Sequence, residues 1–257
     1  MKLSSVLSNI VGTSGRAILE ALIGGERDPH RLADMARAKA RRKIPELIEA
    51  LDGDFTEHHA FMVRHYLDQI DHLNGLVATL DQRISQALAD RQQELDHLDT
   101  IPRVGQLAAE VIIAETGGDM RRFTSAQHLA SWIGVCPGQN ESAGVNKSGR
   151  SRPGNSNLKR LLGTAAMAAI RDKRSYLSAF YRRIAARRGG KRALVAVMHK
   201  LAIAIWHGLH DQQPYRDLGA DYFTRRNPDR ALRRMTKEAN SLGFTVRFDP
   251  VPATRPA

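Results

Sequence analysis

Val63, Tyr66, Ile70, Leu73, Val77, Leu80, Ile84 and Ala87 follow one another at alternating spacings of three and four residues. A 3.5-residue repeat kept over three heptads lines these side chains along one stripe of a helix, and so narrow a stripe calls for another helix wound against it. The pattern predicts one long helix from about Thr56 to Asp99. Its partner is a second copy of the chain or a helix of the same chain; the plain alternative is a long helix lying on its own domain core.

Helical periods govern most of the remaining sequence. Met1 to about Leu51 reads as short helices that turn at Gly12 and Gly15 and stop at Gly24, Gly25 and Pro29, followed by a helix interrupted near Pro45. That segment carries a basic stripe of Arg37, Lys39, Arg41, Arg42 and Lys43, which is either a solvated face or a nucleic-acid contact. "LDTIPRVGQLAAEVIIAETG" reads as a helix-hairpin-helix unit in which Ile101, Val104 and Ala108 anchor the turn, Pro102 and Gly105 shape it, and the helix start after Gly105 is able to hold a backbone phosphate. An ordinary helical turn has the same spacing, and so does "IVGTSGRA" at Ile10 to Ala17. Glu110 and Glu115 suggest no chemistry. A helix beginning near Thr124 or Ser125, with Leu129, Trp132 and Ile133 inward, precedes a break in the periodicity.

The break runs from Pro137 to Arg160, "PGQNESAGVNKSGRSRPGNSNLKR", with almost no apolar side chain. Gly138, Gly144, Gly149 and Gly154 leave backbone N–H groups free to approach an anion, and Lys147, Arg150, Arg152, Lys159 and Arg160 stand against the single acid Glu141. Asn140, Ser142, Ser148, Ser151, Asn155 and Asn157 add short hydrogen-bonding groups suited to phosphate oxygens. The stretch is a phosphate-binding loop or a solvated surface loop.

Past it, "LKRLLGTAAMAAIRD" is a strongly periodic helix, and two further helices meet at Gly189 and Gly190 amid Arg182, Arg183, Arg187, Arg188, Lys191 and Arg192. The chain closes with one more helix, a short strand at Phe244 to Phe248 and a Pro-rich end. Thirty-nine Lys and Arg against 27 Asp and Glu give a net charge of +12, which suits a polyanionic partner. With no signal peptide and no run that reads as a membrane span, the sequence predicts a cytoplasmic protein. The lone Cys136 excludes an internal disulfide or a cysteine-based zinc site and reads as a small buried residue closing an element. No metal-ligating set, Walker loop or nucleophile elbow is legible.

Several of these runs carry a family resemblance. "IPRVG", "FTSAQHLASWIGVCPGQNESAG", "KSGRSRPGN", "LKRLL", "KRALVAVMHKL" and "PYRDLGADYF", in that order, resemble the carboxy-terminal transposase domain of the DEDD-type insertion-sequence transposases, the IS-one-ten and IS-one-one-six type described as bridge-RNA-guided recombinases. The likeness runs from about Lys2 to about Arg226. It implies a mainly α fold organised as an amino-terminal helical region (1–55), a coiled-coil helix (56–99), a transposase domain (100–226) and a tail (227–257).

By the same resemblance Ser142, in "ESAG", is the residue that attacks DNA. Asn140, Gly144, Lys147, Arg150, Arg152, Asn155, Lys159, Arg160 and Gly105 contact DNA or its phosphates, the partners are DNA and a structured guide RNA, and the coiled coil joins copies into a homo-oligomer. The family's ribonuclease-H-like domain, whose Asp-Glu-Asp-Asp carboxylates bind Mg2+, has no counterpart here, since the start of the chain resembles the interior that follows it. The resemblance therefore implies that Mg2+ comes only with that domain, and that this chain alone does not complete strand transfer. Two rivals stay open: a non-catalytic nucleic-acid binder, and a structural coiled-coil protein that the charge of +12 disfavours.

Overall fold

A computed structural model describes residues 1–138, 141–146 and 151–249. The described chain is mainly α and divides into two compact units, Met1–Ala87 and Leu88–Ala257.

In the first unit, α1 (Leu3–Val6), α2 (Thr13–Ile23), α3 (Pro29–Asp34) and α4 (Ile44–Leu51) enclose a small core of Ile18, Leu22, Leu32, Leu47 and Leu51. Pro45 does not interrupt a helix. It occupies the first turn of α4, where its missing N–H costs nothing, and the basic stripe before it forms a 3-10 turn over Ala38–Lys43. The long helix α5 (Glu57–Ala87) buries only Leu67, and its first half is held to α2 by paired guanidinium and carboxylate groups. Arg16 grips Asp71 through two hydrogen bonds of 2.6 Å, and Arg64 reaches Glu20. Tyr66, Leu73, Val77, Leu80 and Ile84 are left exposed.

The expected helix to Asp99 is two helices. After Ala87 the 3.5-residue seam would fall on Arg91 and Glu94, and the chain instead forms a 3-10 turn (Ala89–Arg91) before α6 (Gln92–Asp99). Leu95 and Leu98 of α6 belong to the second core, so the apolar direction changes where the seam runs out.

The second unit continues with α7 (Gln106–Thr116), α8 (Ala126–Ile133), a ribbon of β1 (Glu141–Ser142) and β2 (Val145–Asn146), α9 (Ser156–Ala169), α10 (Tyr176–Arg188), α11 (Gly190–His210), α12 (Tyr222–Arg226) and α13 (Pro228–Ser241). Its core gathers around α11, which packs against α6, α8, α9 and α10 and buries Ala193, Val197, Leu201, Ala202, Ile205 and Leu209. By length and hydropathy α11 is apolar enough to cross a bilayer, but here it is a core helix whose first turn carries Lys191 and Arg192. Trp206 lies at the core margin, with its indole N–H on the Phe123 carbonyl at 3.0 Å.

The stretch 211–226 straps back over this core. Asp217 accepts the N–H of Tyr176 at 3.0 Å, Tyr215 donates its N–H to Thr100 Oγ1 at 2.8 Å, and Phe223 stacks on Tyr176 beneath the Arg183 guanidinium. The strand expected at Phe244 to Phe248 is absent among the described residues. An extended segment needs a neighbour to pair its backbone, and the described residues give it none.

Truncating the fully buried Leu201 removes packing from the centre of α11. Leu201→Ala should destabilise the second unit by about 2–5 kcal/mol in chemical denaturation. Leu107→Ala, at a position 69% exposed on α7, should stay within about 0.5 kcal/mol of the parent, and equal losses at the two positions would contradict this core.

Candidate nucleic-acid interface

The polar stretch leaves and re-enters the core through a narrow neck. Helix α8, capped at its start by the Ser125 side chain, ends on Gly134 with φ +83°, a left-handed conformation that suits glycine. The returning backbone at Gly154 lies directly on this helix end. A Cβ on Gly154 would sit 2.4 Å from the Ile133 carbonyl carbon, and one on Gly134 would sit 2.8 Å from the Arg152 carbonyl oxygen. The Asn155 N–H closes the crossing onto the Trp132 carbonyl at 3.2 Å. Trp132, expected inward, is 38% exposed and leans on Phe123.

Asn155 then starts α9, its Oδ1 accepting the Leu158 N–H at 2.9 Å. Its amide nitrogen donates to Glu115 at 2.6 Å, and Asn157 donates to the other oxygen of the same carboxylate at 2.6 Å. These two bonds hold the Glu115 carboxyl below its ordinary range. Glu115 therefore fastens the far edge of the polar stretch to the end of α7. Its spacing of 40 and 42 residues from its partners left no trace in the sequence.

Lys159 secures the incoming strand, its ammonium reaching Ser151 Oγ at 3.3 Å and the Arg152 carbonyl at 3.2 Å, while Arg160 donates to Asn157 Oδ1 at 3.2 Å. Arg152 borders an open cleft of about 230 Å³, together with Ser131, Gly134, Cys136 and Pro137. Cys136 is half-buried, and desolvation raises its thiol above the usual range, away from a reactive thiolate.

Within the loop, Glu141 pairs with Asn146 and Ser142 with Val145, so Ser142 is the last strand residue before a two-residue turn. Ala143 (φ +51°) and Gly144 (φ +75°) both take the left-handed conformation such a tight hairpin requires. Asn140, Lys147 and Arg150, together with the side chain of Ser142, lie outside the described residues. The structure thus brings Arg152, Asn155, Lys159 and Arg160 to one neck and sets Gly144 on the ribbon above it.

Gly105 is elsewhere. It precedes α7, with open space where a Cβ would be, and the turn before it holds Arg103 at φ +67° between the buried Ile101 and Val104. Glu115 sits near the other end of the same helix, about 15 Å along its axis. Gly105 and the neck are therefore separate points on α7. Among the described residues no group of three or more His, Cys, Asp or Glu side chains is placed to hold a metal ion.

Two measurements test the neck. Gly154→Ala places a methyl group against backbone that cannot swing aside, and a loss on the order of 1–3 kcal/mol is expected in thermal or chemical denaturation. Because the Glu115 pKa is depressed in the folded chain, its tie is complete above the ordinary glutamate value of about 4.3 and weakens as pH falls through the lower folded value. The side-chain amide resonances of Asn155 and Asn157 should shift with a midpoint below 4.3 and lose that transition in Glu115→Gln; a midpoint at or above about 4.3 would refute the tie.

Comparison with known proteins gives this stretch of sequence a family likeness. Residues 95–182, from α6 into α10 and including the whole neck, match the family described as Transposase IS116/IS110/IS902. The chain is similar to the transposase for insertion sequence element IS1111A of Coxiella burnetii, with 35% identity over 136 residues, 51% of this chain and 36% of that protein. It is 27% identical over 159 residues to a probable family 20 transposase of Pseudomonas aeruginosa, covering 60% of this chain and 46% of the relative. It is also 28% identical over 156 residues to the pilin gene-inverting protein of Moraxella bovis, covering 58% and 48%. The chain thus spans less than half the length of each of these relatives. The family likeness rests on residues 95–182, which match the IS116/IS110/IS902 transposases.

Proposed function

We propose that the chain binds DNA and takes part in cutting and rejoining it, with Ser142 as the attacking residue and Lys147, Arg150, Arg152, Lys159 and Arg160 as the clamp on the phosphate. The observation that carries this reading is the neck. Within the family-matched stretch, Gly154 lies on Ile133 with no room for a side chain's first carbon, and this crossing carries a basic, glycine-rich loop. The turn at Ala143 and Gly144 supports the role of Ser142, since a residue at a tight hairpin tip can meet a duplex without the protein enclosing it.

A serine hydroxyl needs a base or a metal to become a nucleophile, and cationic groups to steady the phosphoryl oxygens. Magnesium belongs, in this reading, to a separate carboxylate-bearing domain working with this chain, as the family resemblance implies. The hairpin at Arg103 to Gly105 serves as a second, sequence-independent hold on a phosphate, and a structured guide RNA is a further partner.

Oligomerisation belongs to the same proposal. Tyr66, Leu73, Val77 and Leu80 are each more than half exposed, and the seam alternates the β-branched Ile70, Val77 and Ile84 with Leu73 and Leu80, the pattern of two-stranded coiled coils. A second copy covers that stripe. Leu73→Glu should lower the mass measured by light scattering while leaving the second unit folded, and a monomeric parent chain would rule out this pairing.

The nucleophile is tested by reconstitution with the carboxylate domain and magnesium. Ser142→Ala should keep DNA affinity within about twofold and abolish strand cleavage, because a hydroxyl acting only in the transition state adds little to ground-state binding. Arg152→Ala should weaken binding itself. Cleavage at the parent rate by Ser142→Ala would reject the assignment and point to Ser148 or Ser151. No cleavage by the parent would favour the non-catalytic binder.

A further inference from the structure

Helices α10 and α11 meet at Gly189, which has φ +81° and joins the last residue of one helix directly to the first of the other. Arg187 and Arg188 end α10, and Lys191 and Arg192 begin α11, so a six-residue span carries four cationic side chains. All four are exposed, and among the described residues none of them forms an ion pair. Their neighbours on α10 are already engaged: Arg182 donates to the Lys173 and Ser178 carbonyls, and Arg183 covers the ring of Phe223.

The two halves of the cluster differ in how the fold receives them. A helix C-terminus favours cations, so Arg187 and Arg188 are well placed on α10. A helix N-terminus disfavours them, and α11 begins with Lys191 and Arg192, no acid in its first turn and no side-chain cap. The best-buried helix of the unit thus starts with its charges reversed, beside two more charges of the same sign. Glutamate or aspartate at 191 or 192 would suit the free protein better. The arrangement becomes favourable only against a dense anionic partner.

We propose that this tip is a second nucleic-acid contact, in which Arg187, Arg188, Lys191 and Arg192 grip the phosphodiester backbone of a duplex. It lies beyond the family-matched residues 95–182. The inference rests on the nucleic-acid-binding reading above and adds a surface to it. Either DNA or RNA supplies this backbone, and contacts to phosphate contribute to affinity and salt dependence rather than to sequence preference.

The test uses the full chain, a 20-base-pair DNA duplex and an RNA hairpin of equal length, with affinity measured by anisotropy across a salt series. A variant carrying Arg187→Gln, Arg188→Gln, Lys191→Gln and Arg192→Gln should flatten the slope of log K against log salt by about 3, on at least one of the two probes. Loss on the duplex alone assigns DNA, loss on the hairpin alone assigns RNA, and loss on both assigns the shared backbone. Arg187→Lys with Arg188→Lys, which keeps the charge, should keep the slope. Without nucleic acid, Lys191→Glu with Arg192→Glu should raise the Tm by a few degrees while weakening binding. A parent-like slope in the folded glutamine variant overturns the tip as a contact. Absence of binding by the parent chain overturns the nucleic-acid reading and the tip together.

Discussion

Small side chains at the centre of the second unit are what allow its other parts to meet. Ala193, Ala202 and Gly208 on α11, with Ala165, Ala166 and Ala169 on α9, are buried small residues, which allow packed helices to approach closely. Larger Leu and Ile side chains fill the remaining gaps, and the ends of α8 and α9 are carried to within backbone contact of each other. The neck of the polar loop is thus an indirect product of α11. A wider core would separate Gly134 from Gly154, and Glu115 would no longer span to Asn155 and Asn157.

What the sequence made legible follows from what periodicity can encode. The helices of the second core were readable because Leu158, Leu162, Ala165 and Ala169 recur at the spacing of one helix face, and all four are buried. The start of the polar loop was readable from the loss of that spacing, but its expected end at Arg160 lies inside α9, which Asn155 caps four residues after Ser151; the helix expected near Thr124 or Ser125 is α8, capped by Ser125. The break at Leu88 was hidden, because Leu95 and Leu98 keep a helical spacing while facing another core. Pro45 misled for a local reason: the same residue that interrupts a helix interior is at home in a first turn.

The candidate site was legible in composition but not in arrangement. Charge and glycine content marked Arg152, Lys159 and Arg160 as a group, yet Lys159 spends its ammonium on the chain's own Ser151 and Arg152. Asn155 works as a helix cap and a carboxylate donor at once. Glu115 escaped notice because nothing near it in sequence distinguishes a surface glutamate from one that receives two amides. Contacts spanning forty residues have no local signature, and sequence reasoning gave Glu115 no role for that reason.

The crossing of Gly154 over Ile133 and Gly134 also sets how the chain can change over time. With both ends pinned, closing the intervening loop costs an entropy that grows only with the logarithm of its length, so a doubling adds about 0.6 kcal/mol. Changes in loop length between the neck residues therefore cost little, while a side chain at either glycine would press on backbone. Chains built on this neck can differ widely in loop length and sequence on an unchanged helical frame.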